Sequence, residues 1–152
     1  MFIAHLPAGY LLSQGHPSLR RHATPLMVCA ILPDSDLIWF YLINSSATHH
    51  TLLPHRPILW FTACILRLVL RWIGAIGLGA LLHLSLDTVA GQIAWGWPLW
   101  NNAQPLVVVP ATPGWWVMSF LTHWTFLIEF TICAAAAAVW VHHRCTLRIS
   151  KL

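Results

Sequence analysis

The chain has 152 residues, 58% hydrophobic and only 8% charged, with a net charge of +4 when histidine is neutral. Soluble domains carry roughly 25% charged residues, so this composition sets the chain apart from ordinary water-soluble globules and predicts one small membrane-embedded domain over 1–152, with the lipid bilayer as its first partner. The Arg and Lys residues flank or interrupt apolar runs and form no basic face on a soluble element, so no nucleic-acid partner is expected.

In chain order, residues 2–12 predict a short amphipathic or re-entrant helix. No cleaved secretory signal is expected, since "MFIAHLPAGYLL" has no basic residue before its apolar stretch and is interrupted by His5 and Pro7. A Gly/Pro/Ser linker follows at 13–19. Residues 24–43 predict a membrane segment broken at Pro33, a residue that suits the first turn of a new helix but would cost about 3 kcal/mol inside an uninterrupted one. Asp34 then falls in the first turn after the break, where the helix dipole and free amides favour an anion. Residues 44–57 read as a polar loop bracketed by proline. The stretch 58–90 is apolar except for Arg67, Arg71, His83 and Asp87. At about 1.5 Å per residue it is too long for one crossing of a roughly 30 Å core, so two helices joined near Arg71 to Gly74 are expected. Residues 91–114, with "WGWPLW" and "PATPG", predict an aromatic interfacial loop. Residues 115–143 predict one long last helix whose alanine run allows close packing. The fold class expected is all-α: an integral membrane bundle of about three to five embedded helices, in a bacterial inner membrane.

Only four acids occur, Asp34, Asp36, Asp87 and Glu129, and each lies within or against an apolar segment. An ionisable group at membrane depth costs about 2.5–3.5 kcal/mol, so each calls for a functional partner, and ten histidines are at hand. The bases read as anchors at membrane edges: Arg20 and Arg21, Arg67 and Arg71, then Arg144, Arg148 and Lys151; the last three favour a cytoplasmic C-terminus, while the first four are not allocated to a side by the sequence. Cys29, Cys64, Cys133 and Cys145 form no C-x-x-C pair and are expected to act as small hydrophobes, with neither disulfide nor metal.

"ALLHLSLDTVAG" places His83 and Asp87 four residues apart, on one face of a helix. "HHTLLPHRP" adds His49, His50 and His55, and "LPDSD" adds Asp34 and Asp36. Singly, these could be a helix-joining hydrogen bond, loop polarity and a helix cap. Together, Asp34, Asp36, His50, His55, His83 and Asp87, with His5 in reserve, are more donors than one tetrahedral structural zinc uses. A mixed His/Asp set suits zinc, manganese or iron better than calcium. One or two divalent ions could share the set and activate water for hydrolysis. A regular helix would splay Asp34 and Asp36 by about 200°, which the break at Pro33 can relieve.

These same motifs, in the same order, resemble the YdjM-like family of membrane-bound metal-dependent hydrolases. The family has an N-terminal histidine before a small-residue helix (His5 in "HLPAGYLL"), an L-P-D-x-D element (Asp34 and Asp36), a histidine-rich loop (His50 and His55) and a late H-x-x-x-D helix (His83 and Asp87). The likeness runs from residue 1 to about 100 and extends to "FLTHWTFLIEF". One departure is Pro54, where the family's loop usually has threonine before the histidine matched by His55; this removes a hydroxyl and a backbone donor. The resemblance implies a metal-dependent hydrolase.

The expected reaction is hydrolysis of a phosphoester or other ester of an amphiphilic small molecule. Asp36, or an unligated histidine, would move protons, and Arg56 beside His55 would hold an anionic substrate group by a bidentate contact. Glu129 is a candidate outer partner or proton carrier. It stands about 120° around a helix from His123, so the two cannot readily face one point. A carrier or channel using the same intramembrane acids and histidines, and a structural module in which a His–Asp network fixes helix packing, are the alternatives.

Overall fold

The computed structural model describes residues 3–42, 49–67, 69–110 and 116–149, which contain helices and no strand. The α-helices are α1 (His5–Gln14), α2 (Pro17–Arg20), α3 (Ala23–Cys29), α4 (Asp36–Leu42), α5 (Pro57–Leu66), α6 (Arg71–Asp87), α7 (Trp116–Leu121) and α8 (Thr125–Ile149). Three 3-10 turns, Leu32–Ser35, His49–Thr51 and Leu53–His55, complete the regular structure.

The break expected at Pro33 is present: α3 ends at Cys29, Pro33 occupies the first turn of Leu32–Ser35, and α4 starts at Asp36. Part of the expected 13–19 linker is helical instead. His16 caps α2 by accepting the Ser18 N–H at Nδ1, with Pro17 as first helical residue. The stretch 58–90 folds as two helices, but α5 ends at Leu66 and α6 begins at Arg71 after extended Leu70, so the break comes ahead of the expected Arg71 to Gly74. The long helix expected over 115–143 is two helices. The His123 Nδ1 accepts the Thr125 N–H and hydrogen-bonds the Thr125 hydroxyl, so the ring caps a fresh start for α8, which then runs on to Ile149.

The helices pack in the order α5, α6, α3, α1, α8. Small residues bring α6 close to both neighbours: a Cβ at Gly77 would lie 2.7 Å from the Trp60 carbonyl oxygen of α5, and one at Gly79 would overlap the Leu26 carbonyl of α3. Leu26, Ala30, Ala80 and Leu84 are buried along this contact. Outward positions are also apolar, with Ile38 69% exposed, Leu127 67% and Phe130 63%. Thr125–Thr146 is the one stretch among the described residues long and apolar enough to cross a membrane, while Pro57–Leu66 and Trp72–Asp87 are apolar but shorter. The breaks at Pro33 and between α5 and α6 leave the remaining apolar runs as short helices.

Candidate metal centre

Four separate elements end together at one end of the bundle. The start of α1 brings His5, the Leu32–Ser35 turn brings Asp34, the Leu53–His55 turn brings His55, and the last turn of α6 brings His83 and Asp87. One donor atom from each of Asp34, His55, His83 and Asp87 lies within 4.8 Å of the others. His83 Nε2 is 3.1 Å from Asp87 Oδ2 and 3.5 Å from Asp34 Oδ1, and His55 Nε2 is 3.7 Å and 3.9 Å from the same two oxygens. Donors held about 2.0–2.2 Å from one cation stand about 3–3.6 Å apart, so a small inward adjustment suffices. Asp87 is the hub: its Oδ1 is 3.1 Å from His5 Nε2, while Oδ2 also lies 3.5 Å from His50 Nε2.

The rings are oriented from behind. His83 Nδ1 is 2.9 Å from the Ala30 carbonyl, which can only accept, so Nδ1 carries a proton and the ring is held with Nε2 facing the acids, free to ligate a cation once deprotonated. That carbonyl lies just past the end of α3, where helix geometry leaves carbonyls without intrahelical partners. His55 Nδ1 is likewise 2.8 Å from Asp36 Oδ2, the carboxylate–histidine pairing found behind metal ligands. Nε2 of His83 and of His5 are buried and make no hydrogen bond of good geometry, despite their nearness to Asp87. Leaving such an atom unsatisfied costs about 1–3 kcal/mol, which a shared cation would offset. Donor type, orientation and burial thus fit a divalent ion.

Burial opposes charge on the His55 ring, but hydrogen bonding to Asp36 and Asp87 outweighs it and holds the pKa above the ordinary histidine value.

The structure distributes the other candidates differently. Asp36 is buried behind His55, outside the group of four. Asp36→Asn is expected to weaken metal binding about 10–100-fold, as outer partners do, with the fold retained; unchanged affinity in a metal titration would show that the pairing orients nothing. Arg56 is engaged elsewhere: Nη2 donates to the Thr51 carbonyl at 2.6 Å and the guanidinium lies over the Trp97 ring at 5.2 Å. The side chain of His49 lies outside the described residues. Pro54 is part of the His55 support, since its carbonyl accepts the Trp60 indole N–H at 2.7 Å and ties the turn to α5.

Glu129 takes a role that sequence could not specify. Buried on α8, its Oε2 accepts the backbone N–H groups of Ile3 at 2.5 Å and Ala4 at 3.2 Å, immediately before His5. It is a positioning residue. Glu129→Ala should cost about 1–3 kcal/mol in thermal unfolding and lower metal affinity, while Glu129→Gln, which keeps an acceptor, should restore most of both. Equal losses in the two variants would contradict positioning through that acceptor.

Comparison with protein-family models, with curated proteins and with solved structures gives no match. Fold and site define an all-helical protein with a buried His/Asp group that could bind a metal ion.

Proposed function

We propose that the chain is an integral membrane protein whose His/Asp group holds one or two divalent ions, zinc first and manganese or iron next, and hydrolyses a phosphoester or other ester of an amphiphilic molecule. The observation that carries the proposal is the pinning of His83 and His55 at Nδ1, which turns both Nε2 atoms toward Asp34 and Asp87. A bound divalent ion supplies activation of water and polarisation of the ester oxygen. The resemblance to the YdjM-like hydrolases points the same way.

The chain's own residues divide the remaining work. Asp87 gathers the imidazoles, and Asp36 holds the His55 Nδ1 proton, an orienting task in place of the proton transfer that the sequence suggested. Asp34 is 34% exposed at its side chain, against 0% for His55 and His83 and 5% for Asp87, so Asp34 Oδ1 is where a substrate or a departing proton meets the outside. Ile31 and Leu32, both exposed, precede it in the chain and offer apolar surface to an alkyl chain.

The membrane half of the proposal is tested by alkaline carbonate extraction, which should leave the chain in the pellet; recovery in the aqueous fraction would remove it. The catalytic half is tested by hydrolysis of chromogenic phosphoesters and esters by detergent-purified protein, lost on chelation and restored by zinc. Metal-dependent transport into vesicles without turnover would instead establish the carrier, and metal bound with neither would establish the structural module.

A further inference from the structure

Charge is sorted along the bundle axis. All four acids lie at the cluster end: Asp34, Asp36 and Asp87 in or behind the group, and Glu129 against the residues that precede His5. Four exposed cations, Arg20, Arg21, Arg67 and Arg144, lie at the other end. Helix α1 runs from His5 in the cluster to Gln14 far from it, and Arg20 and Arg21 follow in and after α2, both exposed. Helix α6 arrives at His83 from Arg71, twelve residues or about 18 Å away, and exposed Arg67 sits beside that start, just after α5. Helix α8 leaves the cluster end at Glu129 and reaches Arg144 fifteen residues or about 22 Å later; its His143 Nδ1 meets the Tyr10 hydroxyl at 3.5 Å, which fixes its direction relative to α1. Of the cations with described side chains only Arg56, laid over Trp97, is at the cluster end.

Tryptophans mark both levels. Exposed Trp72 and Trp140 lie at the cationic end, where Arg144 stacks on Trp140 at 5.1 Å; exposed Trp95 and Trp124 lie at the cluster end, where Trp95 donates to Thr88 just past Asp87. Such paired aromatic belts stand at the two interfaces of an embedded protein.

Resting on the membrane reading above, we propose that the collar formed by Arg20, Arg21, Arg67 and Arg144 seats in the anionic headgroups of the cytoplasmic leaflet, so that the metal centre opens on the opposite, extracytoplasmic side. Charge complementarity selects the occupant: cationic segments near helix ends are retained on the cytoplasmic side, and anionic lipid enriches that surface. The four-carboxylate end has no comparable affinity for it. Sidedness narrows the substrate class to amphiphilic esters whose headgroups lie in the outer leaflet.

Cysteine accessibility in bacterial spheroplasts tests this directly. One variant carries Cys29→Ser, Cys64→Ser and Cys133→Ser and keeps Cys145, which is exposed beside Arg144; the other replaces all four cysteines with serine and adds Gln104→Cys, in the exposed loop that pairs with Thr88 through Leu106. A membrane-impermeant maleimide should label the Gln104→Cys variant in intact spheroplasts and Cys145 only after permeabilisation, with detergent-denatured samples setting full labelling. The reverse pattern, labelling of both in intact spheroplasts, or labelling of neither until permeabilisation would overturn the orientation. A fluorescent protein that matures only in the cytoplasm, fused to the C-terminus of the unaltered chain, guards against misfolding of the variants: fluorescence is expected, and a dark fusion whose alkaline phosphatase counterpart is active would overturn the proposal. A soluble chain would instead defeat the membrane reading itself, so the two failures are distinguishable.

Discussion

Asp87→Asn should leave the chain folded in detergent while its retained metal falls to near zero after dialysis against a mild chelator. Asn keeps the size and a hydrogen-bonding oxygen, but removes the only carboxylate that touches His5, His50, His55 and His83 together. Loss of an outer partner costs about 10–100-fold in affinity, and loss of the hub should exceed that range, at least about 100-fold. Metal analysis of wild type and variant side by side provides the check. Equal metal content would remove Asp87 from the site, and with it the reason for so many imidazoles around one buried acid.

His83→Ala should produce an equally large loss of metal and also a loss of stability. The ring does two jobs: Nε2 faces Asp34 and Asp87, and Nδ1 satisfies the Ala30 carbonyl, joining α6 to α3. Truncation leaves that carbonyl buried without its partner, at about 1–3 kcal/mol. Added imidazole can occupy the vacated space and should recover metal binding. A purely structural histidine behaves otherwise: His83→Ala would lower the thermal midpoint with metal content unaffected in the parent and the variant alike.

The helical class was legible because the lengths of the apolar runs and the proline breaks agree, and Pro33 divides α3 from α4 as its missing N–H requires. The split between α7 and α8 was not, since it depends on a histidine acting as a cap, a weak signal in sequence. At the site, spacing alone placed His83 and Asp87 on one face, and shared chemistry drew Asp34 and His55 to them. What stayed hidden was the order behind the donors. Asp36 and Asp34 are two residues apart and chemically alike, yet one faces Nε2 and the other Nδ1 of the same ring, a distinction made by the 3-10 turn. The Ala30 carbonyl has no side-chain signature at all, and Glu129 became interpretable only once α8 was seen to pack against α1. Arg56 looked available beside His55 because nothing in the sequence reveals its engagement with Thr51 and Trp97.

Asp34, His55, His83 and Asp87 are the residues on which metal binding stands. Metal stoichiometry of the detergent-purified protein, followed by X-ray absorption at the edge of whatever metal is found, tests it most directly. One or two equivalents of zinc, manganese or iron are expected, with mixed nitrogen and oxygen ligands and, for zinc, metal–ligand distances of about 2.0–2.2 Å. A protein that is purified without metal and takes up none of the three on titration would contradict it.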